Sequence, residues 1–390
     1  MSETTIIDRR VMLRMDFTLS FTGTVGVGQY LLNIGSADAL APFPCHQLFT
    51  TLQATINNNT VNINCQDVIN VILRSNDSRE LSAYNSLTPT AFDTYYRYSD
   101  AVLANNNPNG SYVIQSDSDL PPRGAYYIDP ANITGNTIGA SGSLDKTVTI
   151  KVSVVEPLLI SPFIFADPKS NTAGFYGVQN LNIVANLAAN AHRAFRSANS
   201  YITNATVTSI EKAELIFNLL TGHPSDMLPS RNIVPYYELP RYQSPVGIAV
   251  PSGGAGSIPI ESPNFQLNQI PDKLFIFVRK VLSSQKVQDA DAFLPIKGIS
   301  INWNNNAGIL SSATPYDLYR FSREAGYNGT WNEFNGQALR NNPAGGNPIE
   351  IATSGSMLML DFGRHIQITE DWYAPKFFGL KSINPIEISI

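Results

Sequence analysis

Charge is what this chain has least of. Asp, Glu, Lys and Arg make up only 15% of its 390 residues, against about 25% in ordinary soluble domains. With a net charge of −5, it lacks the clustered Lys and Arg that neutralise a nucleic-acid backbone. The densest basic stretch, Arg9, Arg10 and Arg14, is too short for such an arm, so sequence-specific nucleic-acid binding is not expected. Asn, Ser and Thr fill the gap. A neutral polar surface can be buried in large contacts without stripping charges of water, which is costly.

Histidine is nearly as scarce. His46, His192, His223 and His365 stand far apart, with no His-x-His or His-Glu-x-x-His spacing to offer metal ligands from one strand or helix. A metal-binding cupin reading of a β-sandwich is excluded with them. Two cysteines, Cys45 and Cys65, make no disulfide framework. They fall on neighbouring expected strands, where a bridge is conceivable, but buried free thiols are the simpler reading. No apolar run reaches the roughly 18 residues of a membrane span. The start, "MSETTIIDRR", has no signal-peptide pattern, so a soluble chain made inside the cell is expected. Sequons at Asn58, Asn76, Asn109, Asn132, Asn204 and Asn328 are no more than an Asn-rich composition supplies.

Catalytic patterns are equally thin. Cys45 and His46, adjacent in an expected strand, would point to opposite faces and could not act as nucleophile and base. "GTVGVG" (Gly23 to Gly28) lacks the Lys-Ser/Thr and following helix of a phosphate loop and reads as a turn. "SGGAGS" (Ser252 to Ser257) reads as a flexible loop on the same grounds. Asp117 and Asp119 have calcium-like spacing without the Gly and distal Glu of a calcium loop. Glu370 and Asp371 are an ordinary surface pair, with nothing to place both in one cleft. No catalytic, cofactor-binding or metal-binding residue is therefore assigned, no cofactor is expected, and the chain is read as a non-enzyme.

Strand signal is abundant. In "LRMDFTLSF", Leu13, Met15, Phe17, Leu19 and Phe21 fall on one face, the period-two pattern of a half-buried antiparallel strand. "TVTIKVSVV", "GISINW", "YITNATVTSI" and "PIEISI" repeat it. "KLFIFVRK" (Lys273 to Lys280) is apolar on both faces, as a central strand would be. Helices are few and short. Asp67 to Arg74 and Thr314 to Glu324 each place an acid early and a base late, complementing the helix dipole. Residues 88–104 could form a third. The reading is all-β with short flanking helices and long loop excursions.

One construction occurs twice. "ATINNNTVNINCQDVINVILR" (Ala54 to Arg74) and "ISINWNNNAGILSSATPYDLYRFSR" (Ile299 to Arg323) both run through alternating apolar residues, an Asn triplet, a second apolar run and an Asp-to-Arg helix. Their asparagines suit tight turns needing positive φ. A duplicated β-sandwich follows. A segment 1–10 would precede a first unit at 11–225, interrupted by an excursion at about 75–146, with a second unit at 226–390. Further loop-rich stretches occupy 219–259, a proline-rich crossover, and about 325–350. Aromatics in the loops, including Tyr84, Phe92, Tyr95, Tyr96, Tyr126 and Tyr127, with Trp303, Trp331 and Trp372, would serve as sugar-stacking platforms, as protein-contact anchors, or as packing within their own loops.

"PFPCHQLFTTLQATINNNTVNINCQDVINVILR" (Pro42 to Arg74), "DKLFIFVRK" and "LPIKGISINWNNNAGILSSATPYDLYRFSREAG" resemble the major capsid proteins of tailless icosahedral double-stranded DNA viruses, within them the polinton-like virus and virophage group. "SMLMLDFGRHIQITEDWYAPKFFG" is similar to the late strand and Ala-Pro turn of that group. The resemblance implies two tandem jelly-roll sandwiches, a double jelly-roll, standing upright in a shell. It implies homotrimers of pseudo-hexagonal outline, neighbouring capsomers, penton and minor capsid proteins as partners, and residence in the virion, with an internal membrane left open. It also implies that the excursions form an outward crown and trimer contacts, and that residues 1–10 form an arm. The alternative is a two-domain glycan-binding protein or carbohydrate-active enzyme.

Overall fold

The computed structural model describes residues 5–33, 38–41, 43–75, 130–140, 142–163, 174–197, 201–221, 236–244, 256–267, 270–281, 284–287, 293–303, 306–340, 345–366 and 387–389. The expected helix at 88–104, the excursion aromatics, Asp117, Asp119, His223, Glu370, Asp371 and Trp372 lie outside them.

The first half holds β1 (Thr5–Ile7), β2 (Met12–Val25), β3 (Asp38–Leu40), α1 (Pro44–Leu48), β4 (Phe49–Ile56), β5 (Asn59–Ile63) and α2 (Cys65–Ser75). It continues with β6 (Ile133–Thr134), β7 (Leu144–Pro157), β8 (Leu181–Leu187), β9 (Phe195–Ser197), β10 (Ile202–Ile216) and β11 (Leu219–Thr221). One sheet has the order β10-β2-β7-β6 and the facing one β5-β4-β8. β2 and β7 pair antiparallel without a break, from Met12↔Pro157 to Val25↔Leu144. Alternation explains why. Phe17, Leu19 and Phe21 of β2 and Val148, Ile150 and Val154 of β7 all turn into one core, each contributing about 1.5–3 kcal/mol on burial.

Residues 5–10, expected to form an arm, are stitched to this sandwich. β1 pairs with β11, Ile7 bridges Phe175, and the Arg9 guanidinium lies over the Phe175 ring at 5.7 Å.

The second half holds β12 (Lys273–Ile276), β13 (Ser300–Trp303), β14 (Asn306–Ile309), α3 (Pro315–Glu324), α4 (Trp331–Phe334), β15 (Gln337–Arg340), β16 (Ile349–Ala352), β17 (Leu358–Asp361) and β18 (Glu387–Ser389). Its pairings reproduce those of the first half. β12 pairs with β17 as β2 does with β7. β13 lies between β14 and β18 as β4 lies between β5 and β8. The separation from Val25 to Phe49 equals that from Ile276 to Ser300. A second core gathers around Trp303, Leu318, Tyr327 and Met357 to Leu360.

The strand expected over Lys273–Lys280 ends at Ile276. Phe277 then packs on Phe293 with ring centroids 4.9 Å apart, and Arg279 turns toward α2. Neither cysteine lies on a strand. Cys45 is in α1 and Cys65 opens α2, both free and buried. Pro44 at the first turn favours helix there, and a distant carboxylate caps it, as described below.

The repeated hairpins are real. Asn57 opens the β4–β5 turn with φ 52°, the left-handed setting Asn tolerates. Its side chain also ties the hairpin down, accepting from the Gln179 N–H at 2.9 Å and donating to Gly177 O at 3.1 Å. "GTVGVG" is a strand end followed by a turn. A Cβ on Gly23 would lie 1.9 Å from Tyr201 O, so only glycine lets β10 start against β2 there.

Candidate functional site

The place where the two sandwiches meet is built on α2. Val68 and Ile72 alternate with Ile69 and Leu73 at helical spacing, so one short helix presents apolar residues on several sides. Cys65, Val68 and Ile72 enter the first core. Ile69 and Leu73 pack with Phe43 and Leu159 in a small separate cluster. Val71 enters the second core.

The polar ends of α2 work across the same junction. Asp67, 6% exposed, forms ion pairs with Arg279 and Arg241, both from the second half. Arg279 also donates to Gln66 O at 2.7 Å. The Arg74 guanidinium lies 4.6 Å over the Phe293 ring, and its carbonyl accepts the Asn328 N–H at 3.3 Å. In return, Val287 of the second half belongs to the first core, and its carbonyl accepts the Ser197 N–H at 2.9 Å. His192 Nδ1 lies 2.9 Å from Gln285 O. Each core thus holds a residue of the other half. Sliding or hinging would have to withdraw apolar groups and leave a buried carboxylate without its cations, which is strongly unfavourable.

A second buried node fixes α1 beneath the junction. Glu156, at the end of β7, accepts from the Cys45 N–H at 2.8 Å and the His46 N–H at 3.2 Å. It caps a helix whose N-cap residue, Phe43, has no side chain able to do so. The other Glu156 contact is His46 Nδ1 at 2.7 Å. His46 Nε2 accepts the Leu159 N–H at 3.1 Å, so the ring proton sits on Nδ1 and is donated to the carboxylate. Burial and the neighbouring Glu156 push the Cys45 thiol well up, away from the thiolate form a nucleophile needs. Burial likewise pushes Cys65 up to about 12. The expectation that Cys45 and His46 sit on opposite faces of a strand is corrected: they share a helix turn, and the His46 ring is engaged by Glu156 and Leu159.

The counterpart helix, α3, is differently placed. Only Leu318 and Ser322 are buried. Thr314 and Asp317 cap it reciprocally, the Asp317 N–H donating to Thr314 Oγ1 at 3.2 Å. The Thr314 hydroxyl and backbone N–H hold the Asp317 carboxyl below its ordinary value. α4 has the same device in Thr330 and Glu333. The signal for this missed helix was present in "TWNE", a Thr-x-x-Glu capping box. Trp331 stands edge-on to Tyr316 and Tyr319, with centroids 5.4 and 5.6 Å apart. Trp303 is 1% exposed and packs on Phe362, so it is core rather than a platform. His365 lies 3.3 Å from Glu324. Among the described residues there is no group of three or more His, Cys, Asp or Glu able to hold a metal, and no helix long and apolar enough to cross a membrane.

Two jelly-roll sandwiches of matching topology, tied through a shared helix, make a double jelly-roll, the fold of virophage major capsid proteins. Comparison with known proteins specifies the family. Residues 1–220 match the family model of the Sputnik virophage major capsid protein 1st domain, and residues 239–382 that of the major capsid protein V20 C-terminal domain. The chain belongs to the Sputnik virophage major capsid protein family. It is 29% identical over 393 residues to the putative capsid protein V20 of Sputnik virophage, covering 95% of this chain and 63% of that relative. It therefore spans less than two thirds of the curated relative's length. The cryo-EM structure of Sputnik virophage superposes with a TM-score of 0.84 at 27% identity, covering all of this chain and 76% of that one. The mavirus major capsid protein shares the fold, with a TM-score of 0.68 at 17% identity over 98% of this chain and 77% of that one.

Proposed function

We propose that this chain is a structural protein that tiles the shell of an icosahedral virion as a homotrimeric capsomer. Three chains would present six similar sandwiches, so a threefold object packs with a pseudo-hexagonal outline. The observation that carries this reading is the α2 junction: exchange of Val71 and Val287 between the cores makes two equivalent blocks one rigid unit. Family membership supports the same reading. The proposed division is a first sandwich at 11–225 and a second at 226–390, with residues 1–10 as an N-terminal segment anchored through β1. The excursions at about 75–146, 219–259 and 325–350 would supply the crown and the contacts between chains. Penton and minor capsid proteins are the further partners, and the virion is the location. No catalytic, cofactor or metal residue is assigned. Neutral polar surface suits this role, because capsomer contacts then bury few charges.

A glycan-binding or carbohydrate-active role finds no support: Trp303 is buried, and the helical aromatics Tyr316, Tyr319 and Trp331 pack on one another. Size-exclusion chromatography with light scattering, followed by negative-stain microscopy, tests the proposal. A mass of three chains and hexagonal particles or plates are expected. A monomer at every salt concentration and pH tried would overturn it.

A further inference from the structure

The chain that crosses between the sandwiches meets α2 as a strap, "YYELPRYQS" (Tyr236 to Ser244). We infer that this strap is a salt-sensitive latch, which opens and closes while the two cores stay joined. It works within a single chain, independently of the trimeric reading above.

The strap touches three bodies in turn. Near its start the Tyr237 N–H donates to Ser161 Oγ at 2.7 Å, shortly after the end of β7. Leu239 packs against the first core. Arg241 pairs with Asp67 of α2. Tyr242 then stacks on Phe265, with centroids 4.4 Å apart and planes 14° from parallel, and Phe265 packs against the second core. Ser244 Oγ donates to Glu261 O at 3.3 Å. Each of these ties includes a side chain. Among the described residues, no backbone group of 236–244 bonds to another backbone group, and no strand or helix includes any of them. Pro240 has no N–H to give to a ladder. Only Leu239 and Ser244 are even partly buried. A segment with exposed backbone and few apolar contacts opens at far less cost than the sandwiches beneath it.

The joint keeps its charge balance when the strap lifts. Asp67 has two cations in different settings. Arg279 is 12% exposed and also donates to Gln66 O, whereas Arg241 is 37% exposed and rides on the strap. Losing both would strand a buried carboxylate, which is strongly unfavourable. Losing Arg241 alone leaves Arg279 in place, so opening avoids that penalty. Val71 and Val287, exchanged between the cores, do not belong to the strap and stay where they are. Salt favours the open form, because ions reach the exposed Arg241 and the screening length falls from about 10 Å at 0.1 M to about 3 Å at 1 M. Opening frees the Ser161 hydroxyl, which is buried when the strap is closed.

A Ser161→Cys variant reports that opening, since its thiol replaces the hydroxyl under Tyr237. Treated with N-ethylmaleimide in the native state, it should label at the new thiol while Cys45 and Cys65, both buried, stay unmodified. The rate should rise between about 0.1 M and about 1 M salt. Adding Arg241→Ala should raise the low-salt rate at least about tenfold, because a hydrogen bond between charged groups is lost, and should abolish the salt response. Hydrogen exchange read by mass spectrometry gives the same information on the wild-type chain. Peptides spanning 236–244 should exchange ahead of those from α2, and faster as salt is raised. Labelling of Ser161→Cys only in step with Cys65, or equal exchange of strap and α2, would show strap and joint opening together and overturn the inference. So would labelling at the rate of an unfolded thiol in every salt. A rate set by chain concentration instead of salt would assign the cover to a neighbouring chain and overturn it too.

Discussion

α2 and α3 are the same piece of construction in two different settings. Each follows a hairpin, starts near an Asp, and seats an i, i+4 pair on its own sandwich: Val68 and Ile72 in one, Leu318 and Ser322 in the other. Yet Asp67 is enclosed by two arginines from the other half, whereas Asp317 is spent on capping its own helix. The composition follows the setting. A helix with neighbours on several sides carries Val68, Ile69, Val71, Ile72 and Leu73. A helix with one covered side carries Tyr316, Arg320, Arg323 and Glu324. Duplication supplies the scaffold, and the outer residues then decide whether a helix joins blocks within a chain or stays on its own sandwich.

The comparison breaks most sharply at Asp67. Asp67→Ala leaves Arg279 and Arg241 facing each other without their shared anion, and should cost about 3–5 kcal/mol in urea unfolding followed by tryptophan fluorescence. Asp317→Ala should move the midpoint far less. Equal losses would show that α2 is not the joint between the cores.

Ile72→Ala and Leu318→Ala probe the sides the helices share. Each should cost about 2–5 kcal/mol, because both side chains are buried in their own cores. A wide disparity between them would mean the helices are not seated alike.

Thr314→Ala should cost about 1 kcal/mol at neutral pH. The cap also carries a pH signature. Because Asp317 has a lowered value in the folded chain, its contribution is complete above the unfolded value of about 3.9 and is lost as the pH falls through the folded one. The difference between wild type and Thr314→Ala in thermal midpoint should therefore shrink on acidification below about pH 4. A difference that widened there would refute the capping role.

The smallest effect is an expected silence. With Cys65 pushed up to about 12 by burial and Cys45 raised too, neither thiol should react with a disulfide reagent at pH 8 until urea unfolds the chain. Prompt native labelling would show that α2 and α1 are not enclosed.

Much of this was legible along the chain. Alternation in "LRMDFTLSF" and "TVTIKVSVV" marked the paired central strands because one side of each must face a core. The Asn triplets marked the hairpins, and the spacing of Asp and Arg marked both helices. What was not legible were contacts between groups far apart in sequence. Cys45 and His46 read as strand because the group that caps their helix, Glu156, lies 110 residues away. Lys273 to Lys280 read as one strand because apolar residues on both sides suit a central strand equally well as a segment leaving for another contact.

The sequence alone therefore determined the all-β class, the duplication and the positions of the repeated elements, because periodicity and turn chemistry act over a few neighbouring residues. Only the tertiary structure decided that Asp67 joins two sandwiches while its counterpart Asp317 does not. That distinction depends on which side of a helix meets a surface brought from some two hundred residues away, as Arg279 is, and no local pattern encodes such a meeting.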